Sequence, residues 1–273
     1  MNKTNKTKAA GSWIAAAVIL VVVIVAGVFL VRRALHPGSA PGQVATSAET
    51  ANPASPSSSP HPAALAQAGI AAASTAMLPA LNDSDDEVAA ALTALAGGEL
   101  RSLLVPRQII ARIVATIDAL PRHAGLGPTV LPAQPPKGAF LTSDTDGGKI
   151  MAAENPARYA PYMTLVENTD AQALVDWYVR DYALFQEAYR QLGYPKASFN
   201  DRLLVVLDDL LAAPELAQPA VLQPSKAYYV YADPALESLS TGQKLLLRLG
   251  PANEAKVKAK LRLIRAALVA RNK

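Results

Sequence analysis

The chain contains no cysteine and only three histidines, and this scarcity excludes several kinds of functional site. Without cysteine it has no disulfide, no thiolate metal site, no cysteine nucleophile and no lipid-modified N-terminal cysteine. His36, His61 and His123 lie far apart along the chain, so a histidine-based metal site is not expected. The sequence therefore predicts neither a metal nor a cofactor.

Motifs typical of nucleophilic and nucleotide-dependent enzymes are also missing. There is no Gly-x-Ser-x-Gly elbow, no Gly-rich phosphate-binding loop and no dinucleotide-binding fingerprint. A Ser-His pair would have to use His123, because the other two histidines lie in a Pro- and Ser-rich stretch. No catalytic residue is therefore predicted, and a non-enzymatic binding or scaffold role is the first hypothesis.

The formal charge of +4 comes entirely from the N-terminal part of the chain. Residues 1–77 contain five Lys or Arg and one acidic residue, Glu49, whereas residues 78–273 contain 21 basic and 21 acidic residues. The positive net charge therefore gives no reason to expect that the C-terminal part binds nucleic acid.

An apolar run at residues 13–31 predicts a transmembrane helix. Its nineteen residues carry no charge, and at 1.5 Å per residue they span about 28 Å, close to the hydrocarbon thickness of a bilayer. A cleaved signal peptide would have a shorter apolar run and a small-residue cleavage site, whereas Arg32 and Arg33 follow here. The basic tail at residues 1–12 favours an N-terminus in the cytoplasm. We therefore expect a single-pass membrane protein whose C-terminal domain lies outside the cytoplasm.

Two further regions follow the predicted anchor. Residues 32–77 are rich in Ala, Ser, Pro and Gly and have few large apolar side chains, which is typical of a flexible linker. Residues 78–273 predict one mainly α-helical domain with two or three short β-strands. The helix boundaries are indicated by acidic residues at 83–87 with Gly97-Gly98, by Pro106 and Pro121, and by Asp170, Ser198, Asp233-Pro234, Ser240 and Gly250-Pro251.

The longest predicted helix in the middle of the domain runs from Asp170 to Leu192. Apolar and aromatic side chains recur along it at steps of three and four residues, which is typical of a helix face buried in a core. These residues are Leu174, Tyr178, Tyr182, Phe185, Tyr189 and Leu192. The predicted β-structure is a hairpin around residues 144–148 and a strand at residues 226–232.

Four segments resemble a known family. They are Val114–Arg122 (VATIDALPR), Leu184–Pro195 (LFQEAYRQLGYP), Phe199–Leu203 (FNDRL) and Ala232–Pro251. From about Leu78 to its C-terminus the chain is similar to the bacterial domain-of-unknown-function family number 3014. The usual arrangement in that family, a membrane segment followed by a variable linker, matches the one predicted here. The resemblance implies that the predicted anchor lies in the bacterial inner membrane and that the predicted domain is periplasmic. The resemblance implies no activity, ligand or catalytic residue.

Two groups of residues are candidates for a binding surface. The first mixes aromatic, amide and charged side chains at a loop-to-helix junction and consists of Tyr194, Phe199, Asn200, Asp201 and Arg202. Its structural alternative is that Asp201 and Arg202 only link neighbouring helices. The second is a set of tyrosines suited either to stacking on a sugar or to half-buried packing, namely Tyr159, Tyr162, Tyr228, Tyr229 and Tyr231.

Carboxylate chemistry is the main enzymatic alternative, because cleavage of a glycan needs only two Asp or Glu residues across a cleft. Glu187 and Asp201 are the pair considered for a cell-wall glycan hydrolase. Each carboxylate candidate has a structural alternative, in which it stabilises a helix end or belongs to an ion pair. The other candidates are Asp118, Asp208 and Asp209.

The C-terminal helix is strongly basic. From Asn253 to Lys273 it holds seven Lys or Arg and one Glu. Three interpretations remain open: a solvated face docked on the acidic part of the domain, a contact with membrane or an anionic polymer, and nucleic-acid binding. The first is favoured and no nucleic acid is expected, since the helix lacks interleaved aromatic residues. The expected partners are the membrane, through residues 13–31, and an envelope protein or cell-wall polymer.

Overall fold

The computed structural model describes residues 78–123, 130–225 and 228–272. The predicted anchor at 13–31 and the predicted linker at 32–77 lie outside the described residues. Within the described part, no helix is both long enough and apolar enough to cross a bilayer.

The described part of the chain is mainly helical and carries one small antiparallel sheet. Two 3-10 turns, Leu81–Asp83 and Asn155–Tyr159, accompany the helices. The helices are α1 (Asp85–Ala96), α2 (Leu100–Leu103), α3 (Ile109–Ala119), α4 (Ala160–Asn168), α5 (Ala171–Arg180), α6 (Tyr182–Gln191), α7 (Phe199–Leu211), α8 (Pro234–Glu237), α9 (Thr241–Arg248) and α10 (Pro251–Arg271). The strands are β1 (Thr142–Thr145), β2 (Gly148–Met151), β3 (Val221–Ser225) and β4 (Tyr228–Tyr231).

The main core lies between the helices. Helix α10 packs against α4, α5 and α7, while α3 packs against α6 and α7. Aromatic rings fill the centre of this core, with Phe185 in edge contact with Trp177 and Tyr178 and stacked on Phe199. The predicted buried stripe is confirmed from Leu174 to Tyr189, but Leu192 at its end is exposed.

The prediction of one helix from Asp170 to Leu192 is wrong. Asp170 does cap a helix, because its side chain accepts a hydrogen bond from the backbone N–H of Ala173. The helix ends, however, before Asp181, whose φ of −96° and ψ of 10° separate α5 from α6. The apolar periodicity continues across this break because both helices turn their apolar faces to the same core.

Helix α3 begins later in the chain than Pro106 indicated. Pro106 was expected to open it, but α3 begins at Ile109, after Gln108 has adopted a left-handed φ of 52°. The backbone N–H groups of Gln108 and Ile109 donate to the carboxylate of Asp85 at 2.7 and 2.8 Å. A side chain from α1 therefore caps α3.

The sheet has the strand order β1-β2-β3-β4, and all of its neighbours are antiparallel. The predicted hairpin is present as β1 and β2, and the predicted strand at 226–232 corresponds to β4. Strand β3 was not predicted, and it gives the sheet a fourth strand. Leu222 of β3 pairs with Tyr231 of β4, so both side chains lie on the same face.

Helix α9 begins against the end of α3. The backbone N–H groups of Thr241 and Gly242 donate to the carbonyl oxygens of Arg122 and Leu120, each at 2.8 Å. A Cβ atom at Gly242 would lie 2.5 Å from Leu210 Cδ2 and 3.3 Å from Leu120 Cβ. Only a glycine lets these backbones approach so closely.

Substituting Gly242 with alanine is therefore expected to lower the free energy of unfolding by about 1–2 kcal/mol, since overpacking outweighs the better helix propensity of alanine. Urea unfolding measures this difference. The matched control is Gly98→Ala, because a Cβ atom at Gly98 would meet no atom within 4 Å. Equal stabilities of the two variants would contradict the prediction.

Candidate ligand-binding site

A second, smaller apolar cluster lies under the sheet. Leu222, Tyr231 and Leu247 are its buried members. Partly buried neighbours complete it, among them Phe140, Met151, Leu216, Ala220 and Tyr229. The rings of Phe140 and Tyr229 lie 6.0 Å apart and are tilted by 40°. This cluster is separate from the main helical core and is only partly filled by side chains.

The unfilled space is a cavity of about 380 Å³. Four parts of the chain enclose it: the inner face of the sheet, the 3-10 turn at Asn155–Tyr159, the segment at 216–220 and the junction of α9 with α10. Most of its lining is apolar or aromatic, including Phe140, Met151, Leu216, Leu222, Tyr229 and Leu247. A concave apolar opening with few polar groups is the usual form of a small-molecule site.

A buried ion pair forms part of the cavity wall. Glu254, in the first turn of α10, lines it with a side chain that is only 4 % exposed. Lys258, one turn later, places its Nζ 3.3 Å from Oε1 of Glu254. The same ammonium donates to the carbonyl oxygen of Ala213 at 2.6 Å and to Glu215 Oε1 at 3.2 Å. The carboxyl group is thus held in position by a buried lysine.

Arg248 and Tyr231 form a second polar contact in the cavity wall. The Arg248 guanidinium donates to the carbonyl oxygen of Tyr229 at 3.5 Å and is hydrogen-bonded to the Tyr231 hydroxyl. Burial raises the pKa of Tyr231 to about 12. The hydroxyl therefore stays protonated at physiological pH and remains a hydrogen-bonding group.

Burial also raises the pKa of the Glu254 carboxyl above its ordinary value of 4.5, although Lys258 acts in the opposite direction. A carboxyl with a raised pKa in the folded state stabilises the fold below its unfolded pKa, and this contribution is lost as the pH rises through the folded pKa.

The variant Glu254→Gln should therefore gain stability relative to the wild type as the pH is raised from about 4 to 7. The quantity to measure is the free energy of unfolding in urea at a series of pH values. A difference between variant and wild type that does not change with pH would contradict the assignment.

The residues predicted at the loop-to-helix junction do come together, but most of them make internal contacts. Phe199 is 0 % exposed and Asn200 is 2 % exposed, so both lie inside the fold. Tyr194 stacks on Tyr189 with ring centroids 4.5 Å apart. Asp201 is exposed in the first turn of α7, where its backbone N–H donates to the capping Ser198 side chain.

Arg202 links two helices, which agrees with the structural alternative to a binding role. Its Nε donates to Asp118 Oδ1 at 2.9 Å, and its Nη2 donates to the Asp118 carbonyl oxygen at 2.6 Å. Arg122 is ion-paired with the same carboxylate and donates to the Tyr194 hydroxyl at 2.8 Å. These four side chains join α3 to α7 and to the loop before it, and they leave Asp201 as the most accessible of the predicted residues.

Most of the carboxylate candidates are engaged in pairs. Glu187 is ion-paired with Arg190 at 2.7 Å, and Asp208 is ion-paired with Arg265 at 2.5 Å. Asp209 accepts a hydrogen bond from the Ser240 hydroxyl at 2.7 Å. Neither Glu187 nor Asp201 lines the cavity under the sheet.

The basic helix α10 pairs with acidic and carbonyl groups of the helices around it. Lys256 pairs with Glu167 of α4 at 2.5 Å, Arg265 with Asp208 of α7, and Arg271 with Asp176 of α5. Lys260 donates to the carbonyl oxygen of Thr169. These contacts support the interpretation of α10 as a face docked on the acidic part of the domain.

The tyrosine group divides between two environments. Tyr159, Tyr229 and Tyr231 line the cavity. Tyr162 is buried elsewhere and donates from its hydroxyl to the Gln134 carbonyl oxygen at 2.7 Å. The side chain of Tyr228 lies outside the described residues. Sequence reasoning missed Glu254, because an acidic residue in a first helical turn indicates helix-dipole stabilisation rather than burial.

No group of three or more His, Asp or Glu side chains in the described ranges is placed to hold a metal ion. His123 is exposed, with Nδ1 3.4 Å from the carbonyl oxygen of Leu239, and the other two histidines lie outside those ranges.

Comparison with known proteins identifies the family. Residues 109–265, more than half of the chain, match the model of the family described as Protein of unknown function (DUF3014). No curated protein and no solved structure matches the chain. The matched range includes every residue that lines the cavity, from Phe140 to Glu254. The resemblance found in the sequence is confirmed, and the chain belongs to this family.

Proposed function

We propose that the chain is an envelope protein anchored in the inner membrane by residues 13–31, whose periplasmic domain binds a small apolar component of the envelope without chemical conversion. The observation that carries this proposal is the cavity under the sheet, whose volume of about 380 Å³ falls within the roughly 300–1,000 Å³ typical of small-molecule sites. The predicted linker at 32–77 would let the domain reach ligands away from the bilayer surface.

The cavity narrows the range of partners that the sequence left open. A cell-wall glycan hydrolase needs two carboxyl groups about 5–10 Å apart across one cleft, whereas Glu254 is the one acidic side chain among the described cavity-lining residues. A glycan polymer or a protein partner needs an extended surface, whereas the lining is a concave apolar pocket. Binding of a small apolar molecule is the function that this geometry favours.

Photo-crosslinking in living cells tests the proposal for a ligand of any identity. Ala217 is exposed at the rim of the cavity, so a benzoylphenylalanine residue placed there contacts an occupant without filling the site. The control position is Leu192, which is exposed at the end of α6 and does not line the cavity. The full-length variants are irradiated in cells and purified, and their molecular masses are measured by mass spectrometry.

A discrete added mass of a few hundred daltons at position 217, absent at position 192, is the expected result. A crosslinked protein band, a ladder of glycan masses or no adduct at all would overturn the proposal.

A further inference from the structure

One carboxyl group, that of Glu254, lies in the described lining of the cavity. Its Oε1 is fully covered and lies 3.3 Å from the ammonium of Lys258, its ion-pair partner. Lys258 also donates to the Ala213 carbonyl oxygen and to Glu215. The two oxygens of a carboxylate accept about four hydrogen bonds, so one shared ammonium leaves capacity for a further donor, and a buried carboxylate is stabilised by each donor that it gains.

The charged groups around Glu254 are paired with one another or bound to the cavity wall. Glu254 and Glu215 face Lys258, while Arg248 is bound to Tyr229 and Tyr231 on the cavity wall. Both cations beside Glu254 are thus already engaged by groups of the protein. A carboxylate or phosphate placed beside Glu254 would meet a like charge in a site of low dielectric constant.

The apolar part of the cavity determines the chemistry of the rest of the ligand. Phe140, Leu222 and Leu247 offer only carbon surface to a molecule that lies between the sheet and α9. Each methylene group buried there contributes roughly 0.8 kcal/mol.

We infer that the ligand is an amphipathic molecule whose apolar body lies between the sheet and α9 and whose head, an amine or a hydroxyl, donates a hydrogen bond to Glu254. This inference rests on the proposed function and specifies the chemistry of the same site. The aromatic rings of Tyr229 and Tyr231, which line the same cavity, also favour an ammonium head over an acidic one.

Three photoreactive probes with the same eight-carbon, diazirine-bearing chain test the inference. They differ only in their heads, which are an amine, a hydroxyl and a carboxylate. The full-length protein is labelled in the membranes of the cells that express it, and label on the peptides containing Leu222 and Leu247 is titrated. We expect the amine and hydroxyl probes to label these peptides at least about tenfold more tightly than the acid.

The variant Glu254→Gln should remove this preference, because an amide donates to an acid as readily as it accepts from an amine. The matched control is Glu215→Gln: this carboxylate contacts the same lysine, but it is 69 % exposed and does not line the cavity. It should keep the wild-type preference, and a thermal melt of each variant checks that both remain folded.

The outcomes separate the inference from the proposed function on which it rests. If all three probes label the cavity with one affinity, or the acid labels it most tightly, the inference fails and the binding function stands. If no probe labels the cavity peptides above the level of the remaining peptides, both fail.

Discussion

Replacing Lys258 with methionine is expected to lower the free energy of unfolding by about 3–5 kcal/mol. The lysine side chain is 2 % exposed, and its ammonium is the counter-ion of Glu254. Methionine preserves much of the apolar stem, but it leaves a buried carboxylate without a counter-ion and the Ala213 carbonyl oxygen without its donor. The measurement is urea unfolding at neutral pH.

Two further variants show whether the lower free energy of unfolding results from the unpaired buried charge. Lys256→Met removes a lysine of the same helix whose side chain is 55 % exposed and paired with Glu167, so it should cost at most about 1 kcal/mol. The double variant Lys258→Met, Glu254→Leu replaces the whole pair by apolar groups and should recover most of the stability. Equal losses for the two single lysine variants would contradict the account of the buried pair.

Filling the cavity should strongly weaken binding. Ala220 lines the cavity and packs on the small apolar cluster under the sheet. The variant Ala220→Trp places an indole in the space meant for the ligand, so the apparent affinity for the amine-headed probe should fall about a hundredfold, or ~2.7 kcal/mol. Titrated photolabelling of the full-length protein measures this change.

Ala183→Trp is the matched control, because Ala183 is exposed on α6 and does not line the cavity. It should bind the probe as the wild type does. If Ala220→Trp lowers the melting temperature, Ala153→Trp, at an exposed position that also lines the cavity, serves as the second blocking variant. Undiminished labelling in a folded blocking variant would show that the probe binds elsewhere.

Local signals in the sequence predicted most of the helix ends. Ser240 and Gln243 form the capping box expected from their spacing, and Asp233 accepts a hydrogen bond from the backbone N–H of Ala235 at the start of α8. These features depend on residues within one turn of each other, so the sequence contains all of the information they need.

The boundaries that were mispredicted depend on distant residues. The start of α3 is fixed by Asp85, which lies 24 positions before Ile109. The break between α5 and α6 occurs at Asp181, whose buried carboxylate is bound by Arg180 within an otherwise regular apolar pattern. Strand β3 contains Pro224 and pairs with strands on both sides, so no local pattern indicated it.

In the candidate site, too, some features were indicated by the sequence and others depend on distant residues. Three of its tyrosines were suspected because aromatic residues are frequent in binding sites. The cavity itself is formed by segments that lie up to 114 positions apart, from Phe140 to Glu254. The burial of Glu254 and its pairing with Lys258 depend on the packing of α10 against the segment around Ala213, which no sequence pattern encodes.

The most direct test is the mass of the photo-crosslinked adduct at position 217, recorded with and without Ala220→Trp in the same full-length protein. We predict a discrete small-molecule mass in the first protein and its loss in the second. An adduct that persists when the cavity is filled, or no adduct in either protein, would contradict the assignment of the cavity under the sheet as the ligand-binding site.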